Sequence, residues 1–196
     1  MADYVISTSG TAIVSLVEAK RHLNLSTTDD DAWVESAVSA ATRLVEERTG
    51  RTYIAQSRRL TMRTFADARY VHGRRIYPRR TPIIGSSVVT ITYTDSAGAS
   101  ATLPTSDYHV SANEHPSRIS EAYNATWPDT RNVDDDVTVN YECGVSSVPP
   151  TVKLAVNMLV GHWYNNREAV LTGSISKEFE FGVDALLGPE MVERYG

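Results

Sequence analysis

Val148 to Val170 reads VPPTVKLAVNMLVGHWYNNREAV. Two prolines open this stretch, a long apolar run fills it, and the charged pair Arg167-Glu168 closes it. Pro149-Pro150 cannot continue a preceding strand, but it suits the first turn of a helix, where a missing N–H costs nothing. The spacing predicts a helix over Thr151 to Asn166. Val152, Val156, Leu159 and Trp163 fall at i, i+4, i+7 and i+11, and Leu154, Ala155 and Met158 widen the stripe. Only Lys153, Asn157 and Tyr164 form a polar strip. A surface helix shows an apolar face of roughly 100°, and this one shows more. It is therefore covered on more than one side, either centrally within one domain or partly by a neighbouring subunit, and the rest of the chain must pack around it.

Working outward, Ser15-Leu16-Val17-Glu18 is a capping box, in which serine and glutamate each satisfy an orphan N–H at a helix start. It predicts a short helix to about Leu23. Asp29, Asp30 or Asp31 then caps a longer helix, where negative charge suits the helix dipole. Its apolar face is Val34, Ala37, Val38, Ala41, Leu44 and Val45, its polar face is Glu35, Ser39, Thr42 and Glu46, and Gly50 stops it. Residues 1 to 14 form either a mobile arm or an edge strand.

From Thr52 the texture changes. Gln56 to Phe65, Val88 to Asp95, Ala101 to Leu103, Tyr108 to Ser111, Arg118 to Ser120 and Val137 to Cys143 read as short strands, with Ser96-Ala97-Gly98 as a turn. Their spacing predicts an antiparallel sheet or small barrel. The segments Arg69 to Arg80 and Asn113 to Asp136 are long, turn-rich loops, which often serve as contact surfaces. After the central helix, Phe179 and Phe181 alternate with Glu178 and Glu180, and Val183, Leu186 and Leu187 add apolar mass. A terminus this hydrophobic docks on its own domain or on a partner. The fold class is α+β: a small helical bundle, made of two N-terminal helices and one long C-terminal helix, with an inserted antiparallel β subdomain. The divisions are an arm at 1–14, a helical core at 15–51 and 148–170, a β insert at 52–147 and a docking segment at 171–196.

The chain has 196 residues and a net charge of −5. The charge argues against nucleic-acid binding by bulk electrostatics. A single cysteine, Cys143, excludes an internal disulfide and a cysteine-based zinc site. No apolar run approaches the roughly 20 residues that span a bilayer. The first residues lack the basic and apolar regions of a signal peptide, so a reducing cytoplasm is the expected compartment, with no membrane partner. His22, His72, His109, His115 and His162 lack metal-ligand spacing. His162, on the central helix, reads as a packed, hydrogen-bonded side chain. The triplets Asp29-Asp30-Asp31 and Asp134-Asp135-Asp136 lack the spacers and turning glycine of a calcium loop. No nucleophile elbow, phosphate loop or dinucleotide fingerprint occurs. The sequence thus supports no catalytic residue, metal or cofactor.

The one pronounced charge feature is basic: Arg58, Arg59, Arg63, Arg69, Arg74, Arg75, Arg79 and Arg80, with Tyr70 and Tyr77 interleaved and only Asp67 offsetting them nearby. Such a run faces solvent or an acidic protein partner. A nucleic-acid-binding module built on Arg58 to Arg80 is the alternative, since phosphate binding needs several basic side chains on one surface.

Several segments, in order, resemble the tailed-phage head–tail connector (adaptor) proteins. SLVEAKRHLNL and DDDAWVESAVSAATRLVEERTGR are similar to that group's N-terminal helices, and RRIYPRRTPIIGSSVVTITYTDSAG to its proline-punctuated strand stretch. SDYHV, WPDTR and VTVNYECG resemble its later strands. The opening stretch, with Tyr164, Asn166, Arg167 and Glu168, resembles its last long helix, and FGVDALLGP its closing segment. The run Arg79-Arg80-Thr81 is more basic than the family pattern.

The resemblance implies a non-catalytic virion protein at the head–tail interface, present in the host cytoplasm during assembly. It implies a ring, usually twelve-fold, that sits under the portal, extends the DNA channel without sequence-specific contact, and offers a platform to a stopper or tail-completion protein. On that reading Phe179, Phe181, Val183, Leu186 and Leu187 dock on the portal. Arg74, Arg75, Arg79, Arg80, Arg167 and Glu168 make loop or inter-subunit contacts, although Arg167 and Glu168 at the helix end serve equally well as an intramolecular pair.

Overall fold

The computed structural model describes residues 3–9, 12–85, 89–166 and 175–192, with side chains of the last stretch from Phe181 onward. In chain order the elements are β1 (Asp3–Thr8), α1 (Leu16–His22), α2 (Asp31–Thr49), β2 (Gln56–Met62), β3 (Val71–His72), β4 (Arg75–Ile76), β5 (Thr90–Thr94), β6 (Ser100–Thr102), β7 (Tyr108–Ser111), β8 (Arg118–Glu121), β9 (Val137–Cys143), α3 (Pro150–Asn165) and α4 (Ile175–Leu187), which runs into a 3-10 turn at Gly188–Glu190. The fold is α+β. The described residues divide into a helical unit (12–53, 146–166 and 175–192) and a sheet unit (3–9 and 54–145).

In the helical unit, α1 begins with the full capping box. The Ser15 hydroxyl accepts from the Glu18 N–H at 3.2 Å, and the Glu18 carboxylate accepts from the Ser15 N–H at 2.9 Å. Helix α2 ends at Gly50, whose φ of 70° closes the last turn at little cost for a residue without Cβ. Its start departs from the expected cap. Asp30 occupies the N-cap position but makes no side-chain cap bond. Its carboxylate instead accepts from the Tyr164 hydroxyl at 2.5 Å, tying α2 to α3, while Asp31 pairs with Lys20 of α1. Trp33 meets the Tyr164 ring edge-on at 5.4 Å.

Helix α3 buries Val152, Ala155, Val156, Leu159 and Val160. Its apolar face is narrower than the sequence implies: Leu154 is 45% exposed, on the side turned away from that row. On α2, Thr42, expected on the polar face, is buried.

The three-helix bundle expected from sequence gains a fourth helix. The Phe-Glu-Phe alternation around residue 180 belongs to α4, where the 3.6-residue period brings Val183 and Leu187 together and buries both. Arg48 pairs with Asp184 at 2.7 Å, and Arg51 with Glu190 at 3.0 Å. Such pairs add at most about 1 kcal/mol each where exposed, so the buried valine and leucine hold the helix in place.

In the sheet unit, a five-stranded sheet runs β1-β2-β9-β5-β6 and a four-stranded sheet runs β3-β4-β8-β7, with every strand pair among the described residues antiparallel. Strand β9 lies at the centre of the larger sheet. It pairs with β2 residue by residue from Gln56↔Cys143 to Met62↔Val137, and buries Val137, Val139, Tyr141 and Cys143 at alternate positions. These side chains join Leu60, Met62 and Ile91 of the same sheet and Ile76, Ile119, Tyr108 and Val110 of the other in one apolar core. Gly144, just past β9, has a φ of 141° and would place a Cβ 2.7 Å from the Ala55 Cα, so only glycine fits there.

Residues 3–8 form an edge strand rather than a loose arm, and one buried polar cluster fixes it. The Arg58 Nε donates to the Asp3 carboxylate at 2.8 Å and its Nη2 to the Asp3 carbonyl at 3.0 Å, while Nη1 donates to Gln56 Oε1 at 2.9 Å. The Tyr141 hydroxyl donates to the other Asp3 oxygen at 2.9 Å. The Asp3 side chain is 1% exposed and that of Arg58 10%. Removing one member of a buried ion pair leaves the other uncompensated. Asp3→Ala is therefore expected to lower unfolding free energy by about 3 kcal/mol, read as a shifted urea midpoint. Asp3→Ala combined with Arg58→Met should recover most of the loss. Burial, and then the Asp3 carboxylate, push the Tyr141 phenol well above its ordinary value. The folded state thus favours the protonated phenol, and stability is expected to fall as pH rises beyond about 10.0, more steeply than in Tyr141→Phe.

Candidate functional site

The arginine-rich stretch lies within the sheet unit and runs from β2 to just past the β3–β4 hairpin. Arg58, Arg59, Arg63 and Arg74 meet partners that lie far away in sequence. Arg58 is held by Asp3, as described above. Arg59 donates to Asn140 at 2.9 Å, and Arg63 lies 3.8 Å from Asp134. Arg69 clasps Asp67 at 3.2 Å. Burial raises the Asp67 carboxyl pKa, but hydrogen bonds from the Arg69 side chain and backbone outweigh it and hold the group below its ordinary value. Arg79 sits over the Tyr70 ring, 5.6 Å from its centre.

The hairpin tip is the feature that organises this surface. Gly73 and Arg74 both have positive φ, 57° and 67°, the geometry of a two-residue turn that matches the strand twist. Arginine is an unusual choice for that conformation, and local bonds hold it there. The Arg74 guanidinium pairs with Glu121, and the Arg74 carbonyl accepts from the Trp127 indole N–H at 3.1 Å. Glu121 also accepts from the Trp127 backbone N–H at 2.6 Å. Trp127 in turn stacks on Phe65, with ring centres 4.9 Å apart and planes within 2°.

Two clefts flank the tip. One, of about 550 Å³, is lined by Phe65, Val71, Trp127 and Pro128 with Thr64 and Asn132. The other, of about 460 Å³, is polar, lined by Arg75, His109, Ser111, Glu114, Arg118 and Ser120. The second lies on the outer face of the four-stranded sheet. Strand pairing sets Arg75 beside Ser120 and Ser120 beside His109, while the alternate residues Ile76, Ile119 and Val110 point into the core. Arg118 is paired with Glu114. Among the described residues no group of three or more His, Cys, Asp or Glu side chains could hold a metal ion, and no helix is long and apolar enough to cross a membrane. The guanidinium and carboxylate groups at the hairpin tip are thus bound to one another.

A family model described as head completion protein matches residues 12–176. The chain belongs to that family. Its fold also matches solved structures over its whole length. The chain is similar to a protein in the neck of an empty gene transfer agent (GTA) particle computed with C6 symmetry, at 23% identity and a TM-score of 0.77, covering 100% of this chain and 98% of that one. The virion of a native GTA particle gives 21% identity, a TM-score of 0.77 and the same coverage. The neck of a native GTA particle computed with C12 symmetry gives 23% identity and a TM-score of 0.72, again at 100% and 98%. No curated protein sequence matches. The family assignment agrees with the connector resemblance carried by the sequence segments.

In this head completion chain, the residues singled out in sequence are dispersed. Arg74 and Arg75 come together at the hairpin, with Arg79 and Arg80 following β4. Val183 and Leu187 are buried within the helical unit, Leu186 is half-buried, and Phe181 is 76% exposed. Arg167, Glu168 and the Phe179 side chain lie outside the described residues. Sequence reasoning missed Asp3, Glu121, Phe65 and Trp127. Asp3 and Glu121 stand tens of residues from the arginines they neutralise, so counting nearby charges could not find them. Trp127 sat in a segment read as a long loop and, by resemblance, in the strand-like WPDTR, where the structure has only an isolated bridge from Thr130 to Asp95.

With most arginines engaged, few remain for phosphate. Affinity for double-stranded DNA should vary with salt at a log–log slope no steeper than about −2, near 0.9 per phosphate contacted. A filter-binding salt series checks this; a slope of about −5, as six neutralised phosphates would give, would restore the nucleic-acid reading.

Proposed function

We propose that this chain is a structural component of a head–tail neck, in a tailed phage or phage-like particle. Copies of it form a ring beneath the portal, extend the DNA channel, and present a platform to a stopper or tail-completion protein. Its role is passive and non-catalytic: DNA crosses the ring without sequence-specific contact. The observation that carries the reading is the family match over residues 12–176, joined to end-to-end likeness with proteins of GTA necks. The C6 and C12 symmetry of those neck structures supports a closed ring, and a twelve-fold one in particular. A ring of identical copies needs two different, complementary faces on each subunit.

The C-terminal helix supplies the portal contact. Val183 and Leu187 anchor α4 in its own unit, which leaves Phe181 as the exposed aromatic for a partner pocket. Exposed Met191 lies beyond the 3-10 turn. Deleting the whole segment would strip the unit of buried side chains, so a point change gives the cleaner test. Phe181→Asp is expected to keep the wild-type melting temperature and to weaken binding to the cognate portal at least tenfold, measured by surface plasmon resonance. Undiminished binding would reject α4 as the docking element.

A further inference from the structure

Among the described residues, strand β1 is one outer edge of the five-stranded sheet, and β6 is the other. An unpaired edge presents a row of free N–H and C=O groups, a template for another strand. Soluble proteins usually blunt such edges with lysine, proline, a β-bulge or an inward-pointing charge. Strand β1 reads DYVIST, with no lysine or proline along it. Its one charge, Asp3, is turned inward to Arg58 and Tyr141. Three successive apolar side chains, Tyr4, Val5 and Ile6, are 44%, 45% and 50% exposed. Because strand side chains alternate, they present apolar surface on both faces of the edge. That inward charge and a register shift between Val5 and Ser7 are two such devices, yet they leave this apolar trio exposed along the edge. The opposite edge is different in kind. Strand β6 is short, and its Ser100 and Thr102 are exposed and polar.

We propose that β1 of one copy pairs with β6 of the next, so that the sheet continues from subunit to subunit around the collar. This rests on the ring reading above. Two features select a second copy as the occupant. The edges are the two different ends of one sheet, which is what a head-to-tail contact requires. The direction also fits: β1 to β2, β2 to β9, β9 to β5 and β5 to β6 are four antiparallel steps, so β1 and β6 point the same way. A neighbour carried over in the same orientation lays β6 parallel to β1. Pairing of β1 with another β1 would instead close a two-fold dimer and leave β6 bare.

The test uses assembled particles that incorporate the chain with Val5→Cys and Thr102→Cys, treated with a short bismaleimide, alongside each single variant. Copy number per particle is measured in parallel by quantitative mass spectrometry. The expected result is many copies and a denaturing-gel ladder of dimer, trimer and higher species that needs both cysteines. Many copies without a ladder would overturn the edge pairing and leave the ring intact. Dimers from Val5→Cys alone would overturn it in favour of β1–β1 contact. A single copy per particle would remove the ring and this contact with it. Should the double variant fail to fold, Tyr4→Lys with Ile6→Lys replaces it. At an unchanged melting temperature, a tenfold or greater loss of incorporation supports the contact, and undiminished incorporation rejects it.

Discussion

Burial of one row of side chains on β9 constrains the whole sheet unit. Val137, Val139, Tyr141 and Cys143 face the core, and their strand is flanked by β2 on one side and β5 on the other. A slip of one residue would turn that row to solvent, at roughly 1.5–3 kcal/mol per large side chain exposed. The register of β2 follows, and with it the positions of the arginines. Arg58 shares a face with Leu60 and Met62, so its charge is carried inward and needs an inward partner. Asp3 provides that partner, and the N-terminal strand is fixed as a consequence. A buried pair of this kind is weak as a source of net stability, but it specifies which segment lies on the edge of β2.

The same logic offsets about half of the charge of a basic stretch. Counted along the chain, the run from Arg58 to Arg80 has a single acidic neighbour. Counted in space, Asp3, Glu121 and Asp134 join Asp67, and Tyr70 covers Arg79. What is left at the hairpin tip is a shaped surface: an aromatic cleft on one side, a polar cleft on the other, and a strained Arg74 between them pinned by Glu121 and Trp127. The proposed protein contact within an assembly draws on this shape and on these paired charges.

Much of this was legible in residues. The capping box at Ser15, the glycine stop at Gly50, the paired prolines before α3 and the β-branched alternation of β9 are local signals with local causes, and the structure has an element at each. Those signals fail where partners are distant or where two periods compete. Phe179-Glu180-Phe181 alternates like a strand, yet Val183 and Leu187 four residues apart are what the unit buries, so the segment is a helix. Leu154 fitted an apolar stripe and faces outward, because the stripe on α3 is no wider than the row from Val152 to Val160. The hairpin at Gly73-Arg74 was hidden by its strands, two residues each, too short for any alternation to register. Of the candidate contact residues, Arg74 and Arg75 are chain neighbours in the sequence, which could not say that Glu121 and Trp127 complete the same turn.

The role proposed for this chain is a passive collar made of identical copies at the particle vertex. A cryo-electron-microscopy reconstruction of the neck of the particle that carries this chain, made without imposed symmetry, tests that directly. The account predicts this two-unit fold repeated around the DNA channel, next to the portal. A single copy, or the fold located away from the channel axis, would contradict it.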